Sequence, residues 1–185
     1  MIVGLMLFLG AHCIRIVAPG WREAQIAKLG EGRWKGIYSL VSLVGLVLIV
    51  LGYYLTRADA PVFYEQPNWF RSFAFIAMPV SFVIFFASDF RAGYIKRAVK
   101  HPMLVGTIIW SAVHLVGNGD LASILLFGSF LVWAVIDLLS AFNRPYAAPA
   151  EVAWWPDIAS VGLALLVTWL FLMWLHGWLF GVPLS

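Results

Sequence analysis

Six long apolar stretches alternate with short polar connections along the chain. They cover residues 2–19, 36–55, 72–90, 102–116, 121–140 and 158–181, and each is bounded by charge, proline or glycine. A bilayer span needs about 20 mostly apolar residues. The pattern therefore predicts an all-α polytopic membrane protein with six transmembrane helices in a single domain over residues 1–185. The four residues 117–120, between the fourth and fifth stretches, predict a tight helical hairpin.

Basic residues are unevenly distributed among the connections. The second connection holds two, Arg57 and Arg71, whereas the first, third and fifth together hold nine: Arg22, Lys28, Arg33, Lys35, Arg91, Lys96, Arg97, Lys100 and Arg144. Short cytoplasmic loops carry an excess of Lys and Arg. This asymmetry predicts that both termini of the multi-pass protein lie on the non-cytoplasmic side. The first connection also contains Trp21 and Trp34, which suits either a segment lying on an anionic membrane surface or a plain solvated loop.

Composition supports the lipid bilayer as the environment of the chain. Hydrophobic residues make up 63% of it and charged residues 11%, so the polar side chains are too few to cover a water-facing surface. An aromatic content of 16% and a net charge of +3 fit neither a disordered chain nor a nucleic-acid-binding protein. Cys13 is the single cysteine, which excludes an intramolecular disulfide and a cysteine-based zinc site.

Ionisable residues inside a span are costly and usually face the protein interior. The predicted spans contain few of them: His12, Arg15, His114, Asp137 and His176. Asp89 and His101 stand at span ends. Because Arg15, Asp89 and Asp137 fall near the cytoplasmic side, they predict a structural ion pair between helices.

The fourth span carries a polar stripe on one helix face, formed by Thr107, Ser111, His114 and Asn118. Trp110 precedes His114 by four residues, so the two rings are expected to stack. One interpretation is that the small polar side chains join helices through hydrogen bonds. The other is that His114 binds a metal or haem iron, with a hydroxyl or amide on the same face orienting its second ring nitrogen.

A second imidazole ligand would come from another span, where His12 and His176 are available. Depth slightly favours His176, since it and His114 both lie near the outer ends of their helices. His101 is less suitable because it is thirteen residues before His114, on a different helix face and about 20 Å lower. The chain contains no di-iron or zinc-protease signature.

The block from Lys100 to His114, with its His-Pro-x-x-x-Gly and Trp-x-x-x-His motifs, resembles the NnrU family. The residues 117–123 that follow and the Gly-Ala-His segment ending at His12 extend this resemblance over residues 1–180. NnrU proteins are integral membrane proteins associated with denitrification, where they are linked to the production of active nitrite and nitric oxide reductases. The resemblance implies a comparable role here.

The same family includes the plant and cyanobacterial zeta-carotene isomerase, a membrane enzyme that uses haem b. Its axial histidines match His12 and His114, so the resemblance implies haem b held between these two residues and favours His12 over His176, which the depth argument keeps as the alternative. It also implies a hydrophobic small-molecule substrate. The chain departs from the isomerase at Ser111, where the isomerase has a cysteine, so thiolate ligation is excluded at that position.

A competing resemblance starts at the same histidine-proline pair. His101, Pro102 and Gly106 also match the motif with which membrane isoprenylcysteine and phospholipid methyltransferases bind S-adenosylmethionine. His101 would then hold the carboxylate of that cofactor. Those enzymes also carry a paired-glutamate motif in a later helix, where this chain has only Glu151.

Three functions follow from these patterns. The leading one is a multi-pass NnrU-like protein of the cell inner membrane that binds haem b, with a redox, isomerase-like or denitrification-linked role. The candidate cofactor-binding residues are His12, His114, Trp110, Ser111, Asn118 and His101. The alternatives are an S-adenosylmethionine-dependent methyltransferase and a non-catalytic accessory that assists a membrane protein partner.

Overall fold

A computed structural model describes residues 1–182 of the chain. The described residues are mostly helical, as the apolar pattern predicts. The elements are α1 (Ile2–Val17), α2 (Pro19–Leu29), α3 (Glu31–Thr56), β1 (Val62–Tyr64), α4 (Phe70–Phe86), α5 (Tyr94–Val99), α6 (Pro102–Gly117), β2 (Gly119–Asp120), α7 (Leu121–Phe142), α8 (Trp155–Leu170), a π-helical turn (Phe171–Leu175) and α9 (His176–Phe180).

Each predicted span corresponds to an apolar helix, but the helices differ in length. Within the described residues, three are long and apolar enough to cross a membrane: α3, α7 and the continuous run Trp155–Phe180. A fourth is obtained if α1 and α2, which meet at an angle of 101°, count as one bent span. The helices α4 and α6 contain 17 and 16 residues, fewer than the roughly 20 of an ordinary span.

The chain divides into two compact units, Met1–Asp59 and Ala60–Ser185. In the first unit, α1 packs along α3. Glycine permits this close approach, because a Cβ atom on Gly45 would lie 2.8 Å from the backbone nitrogen of Phe8. The connection after α1 is the helix α2 and not an irregular loop, and the ring of Trp21 packs edge-on against Trp34 at 5.8 Å.

In the second unit, α6 packs between α4 and α7, and α8 packs on α4. Small residues fill the contacts between these helices: Ser111, Ser123, Ala134, Ser160 and Ala164 are all 0% exposed. Large apolar side chains instead cover the outer faces of the helices. This distribution is typical of a membrane protein, because helices in lipid associate through close packing of small residues and leave bulky apolar residues towards the acyl chains.

The predicted hairpin between α6 and α7 is present and has additional support from a short strand. β1 pairs in antiparallel fashion with β2, which lies between the two helices. Asp120 then caps α7, since its carboxylate accepts hydrogen bonds from the backbone nitrogen of Ser123 at 2.9 Å and from the Ser123 hydroxyl at 2.6 Å. The N-cap satisfies a helix N–H group that has no partner within the helix.

At the opposite end of this unit, polar side chains hold the connection between α4 and α6. The Asp157 carboxylate accepts hydrogen bonds from the backbone nitrogens of Tyr94 at 2.8 Å and Ile95 at 3.2 Å. The ammonium group of Lys96 donates to the carbonyl oxygens of Ser88 and Phe90 at 2.7 and 2.8 Å. These bonds hold the irregular connection after α4 and the start of α5, which leads to α6.

Asp137 forms an ion pair, but not with a residue of another helix as predicted. Its partner is Arg144, seven residues later, whose Nη2 lies 2.9 Å from the Asp137 carboxylate. Arg144 follows the end of α7 and reaches back along it. The ion pair therefore secures the end of one helix, and Asp137 is accounted for structurally.

Candidate functional site

The three histidines inside the apolar helices share one hydrogen-bonding arrangement. Nδ1 of His12 lies 2.6 Å from the Phe8 carbonyl oxygen, Nδ1 of His114 lies 2.8 Å from that of Trp110, and Nδ1 of His176 lies 2.7 Å from that of Val182. A carbonyl oxygen only accepts, so each Nδ1 carries a proton and donates it. In a neutral imidazole this leaves the lone pair on Nε2. Metal-bound histidines are oriented in the same way, by a hydrogen bond from the other ring nitrogen.

His12 and His114 also share their aromatic surroundings. The aromatic residue four positions earlier supplies the carbonyl in both cases, and its ring contacts the imidazole: Phe8 stacks on His12 at 4.3 Å, and Trp110 lies tilted at 5.1 Å from His114. A second ring completes each environment, Tyr38 at 5.2 Å from His12 and Phe127 stacked at 4.4 Å on His114. The two helices thus present the same aromatic-x-x-x-His unit.

The stripe on α6 is present, but its hydrogen bonds run within the helix. The hydroxyl of Thr107 donates to the Met103 carbonyl at 2.8 Å, and that of Ser111 donates to the Thr107 carbonyl at 2.7 Å. The side-chain amide of Asn118 donates to the His114 carbonyl at 2.9 Å. The expectation that a hydroxyl or amide of the stripe orients the His114 ring is therefore wrong, because the backbone carbonyl one turn earlier performs this function.

Ser111 occupies the position where the isomerase has a cysteine, and it is fully buried in the helix packing. Its hydroxyl lies 3.2 Å from the Ile108 carbonyl in addition to its bond with Thr107. These contacts account for Ser111 as a packing residue of α6. Its side chain supplies neither a thiolate nor a hydroxyl directed away from its own helix.

His176 differs from the other two intramembrane histidines. It begins α9, directly after the π-helical turn, and its aromatic neighbour is Phe180, four positions later, at 5.5 Å. Its Nδ1 acceptor also lies after it in the chain. The local unit around His176 is therefore the reverse of the one that His12 and His114 share.

His101 lies at the start of α6, away from the turn that contains His114. Its ring packs edge-on against Phe142 and Tyr146, with both centroids at 5.7 Å. The structure thus places His101 in an aromatic cluster at the end of α7. Over the described residues, no group of three or more His, Cys, Asp or Glu side chains is arranged to hold a metal ion.

Tyr64 is a residue of this region that sequence reasoning missed. Its hydroxyl donates to the Leu115 carbonyl and lies 3.2 Å from the Asn118 carbonyl, at the last turn of the helix that carries His114. Burial raises the pKa of Tyr64, and the negative charge of Asp120 raises it further. No spacing rule relates Tyr64 to residues more than fifty positions away, so only the pairing of β1 with β2 reveals this contact.

The apolar helices, the small-residue packing and the outward bulky side chains define a helical integral membrane protein. Comparison with known families identifies it further. The model of the family described as NnrU protein matches residues 1–184, so the chain belongs to the NnrU family. Comparisons with curated proteins and with solved structures give no match.

Proposed function

We propose that this NnrU-family protein binds haem b through His12 and His114 and has a redox or isomerase-like role. The observation that carries the proposal is the aromatic-x-x-x-His unit present in both helices. Each unit fixes the proton on Nδ1 and leaves the Nε2 lone pair to coordinate iron. Imidazoles flanked by aromatic rings would suit an apolar macrocycle such as haem.

The residues of the chain have separable tasks in this proposal. The carbonyls of Phe8 and Trp110 hold the two imidazoles in one tautomer, and Phe127 covers a face of the His114 ring. The haem would supply one-electron chemistry at its iron, with a potential tuned by the histidine ligands and the apolar surroundings. Ser111 has no thiolate to offer beside His114, so His12 and His114 are the residues that would hold the haem iron.

The six apolar helices fit six crossings of a cell inner membrane, with both termini on the non-cytoplasmic side. The nine-to-two distribution of basic residues supports this orientation. The short helices α4 and α6 would cross where the bilayer is locally thin or the flanking residues extend the span. Through its family, the protein would serve the production of nitrite and nitric oxide reductases, acting on a hydrophobic small molecule or on a membrane protein partner.

An oxidised-minus-reduced visible spectrum with pyridine haemochrome quantification tests the proposal. The protein is expressed with ample haem supply and purified in detergent. We expect sharp low-spin bands and about one haem per chain, the stoichiometry of a single bis-histidine site. His12→Ala and His114→Ala should each abolish the low-spin spectrum, whereas the matched control His101→Ala should retain it.

The same experiment separates the alternatives. Loss of the low-spin spectrum in His176→Ala but not in His12→Ala would transfer the second ligand to His176. Unchanged haem content in both His12→Ala and His114→Ala would refute the proposed site. A flat spectrum in the parent protein would favour the accessory role, to be examined by capture of a membrane partner, or methyl transfer, to be examined by S-adenosylmethionine binding.

A further inference from the structure

The backbone at Lys100 adopts a conformation that is costly for a residue with a side chain. Its φ is 63° and its ψ is −49°, and it is the one non-glycine residue with positive φ in the described part of the chain. The backbone nitrogen of His101 donates to the Val99 carbonyl at 2.7 Å. These values define a γ-turn of the rare, strained type, which glycine would adopt with less strain.

The side chains of Lys100 and His101, at this turn, contact one aromatic cluster. The turn links the end of α5 at Val99 to the start of α6 at Pro102. The Lys100 ammonium lies 6.0 Å from the centroid of the Tyr146 ring, and the His101 ring contacts Tyr146 and Phe142. We call these four residues, Lys100, His101, Phe142 and Tyr146, the Lys100 corner.

Residues next to the Lys100 corner in the chain carry a positive charge and exposed apolar side chains. Arg144, two residues before Tyr146, uses Nη2 for Asp137, and its Nη1 is buried with no hydrogen-bond partner among the described residues. Lys100 and Arg144 together outnumber the single carboxylate of Asp137 by one positive charge. Met103 follows His101 by two residues and Leu139 precedes Phe142 by three, and the apolar side chains of Met103, Leu139 and Phe142 are 45%, 60% and 60% exposed.

We propose that the Lys100 corner binds the phosphate of an anionic phospholipid headgroup, with the acyl chains along Met103, Leu139 and Phe142. A phosphodiester carries one negative charge and offers acceptor oxygens to the Lys100 ammonium. The apolar rim explains why the ligand is a lipid and not a free anion. Glycine would adopt the backbone conformation of Lys100 with less strain than lysine does. Because strained residues cluster at functional sites, the presence of lysine here indicates that its side chain has a function.

Native mass spectrometry of the full chain in detergent measures this binding. The protein is titrated with phosphatidylglycerol or with phosphatidylcholine of the same acyl chains. We expect about tenfold tighter binding of phosphatidylglycerol, equivalent to about 1.4 kcal/mol. Lys100→Gln and Lys100→Gly should both remove this preference. The matched control is Arg97→Gln, which removes a positive charge from the same segment but lies over Tyr94, at 5.5 Å, and it should keep the preference.

Lys100→Gly also separates lost binding from lost folding. Because glycine relieves the γ-turn, the lipid-free thermal midpoint of Lys100→Gly should equal or exceed that of the parent protein. If that midpoint falls instead, the phosphatidylglycerol preference is read from Lys100→Gln, which removes the charge but keeps a long side chain. Retained phosphatidylglycerol preference in Lys100→Gln, or equal loss in Arg97→Gln, would overturn the proposal. Complete displacement of the lipid by excess inorganic phosphate would overturn the assignment of a lipid ligand.

Discussion

The Asp120 cap at the start of α7 allows a quantitative prediction for the α6–α7 hairpin. Asp120→Ala removes the acceptor for the backbone nitrogen of Ser123, and the loss of an N-cap costs about 1 kcal/mol. It also removes the acceptor of the Ser123 hydroxyl, which donates at 2.6 Å. Ser123 is 0% exposed, so the loss of this second, buried hydrogen bond adds about 1–3 kcal/mol. The total expected destabilisation is about 2–4 kcal/mol.

Thermal unfolding in detergent, followed by tryptophan fluorescence, measures this loss. For a chain of this size, each kcal/mol of lost unfolding free energy lowers the thermal midpoint by about 2–4 °C. Asp120→Ala should therefore lower the midpoint by roughly 5–15 °C. Asp120→Asn is the matched control, because its amide oxygen accepts from the Ser123 backbone and its amide nitrogen donates to the Ser123 hydroxyl. It should cost less than about 1 kcal/mol. Equal midpoints for the two variants would refute the assignment of the cap.

Three further predictions concern helix packing, the entry to α6 and the strand pair. Gly45→Ala should destabilise the first unit by about 1–3 kcal/mol through overpacking against α1. Gly10→Ala is the control and should be near neutral, because its new Cβ has open space around it. Chemical denaturation of the full chain, with the accessibility of Cys13 reporting on the first unit, measures the stability of both variants. Asp157→Ala should raise hydrogen exchange at the start of α5 at least tenfold, because two backbone N–H groups lose a charged acceptor, and unchanged exchange would contradict this role. Tyr64 has a folded-state pKa raised above the ordinary tyrosine value of about 10, so its stabilising contribution is present below about pH 10 and is lost as the pH rises through the folded-state pKa. Tyr64→Phe should remove that part of the alkaline loss of stability measured by thermal unfolding.

The fold was largely predictable because hydrophobicity and helix termination are local properties. Apolar runs bounded by charge, proline and glycine indicated six helices, and helices occur in all six places. The hairpin at residues 117–120 was predictable for the same reason, since four residues leave room only for a tight reversal. The 101° bend between α1 and α2 was not, because Pro19 marks a break without giving its angle.

The candidate site was predictable only in its residue types. His114 and His12 stand out as ionisable groups in apolar helices, and Trp110 four positions before His114 was visible as a spacing, whereas the matching position of Phe8 before His12 became evident only from its contacts. The acceptor of each Nδ1 was not visible, because every backbone offers carbonyls and the side-chain rotamer decides which one is used. For that reason the stripe of Thr107, Ser111 and Asn118 suggested an orienting hydroxyl or amide, whereas the structure uses the Trp110 carbonyl.

The sequence by itself determined the class of protein, the helices and the few polar side chains that membrane burial makes expensive, because transfer into lipid acts residue by residue. Tertiary structure decided the contacts that join distant segments: the Tyr64 hydroxyl on the last turn of α6, Asp157 on the start of α5, and the Lys100 corner on the end of α7. These contacts depend on which helix ends meet and on a strained turn at one residue. Local periodicity does not encode these contacts, because they form between segments that are far apart in the chain.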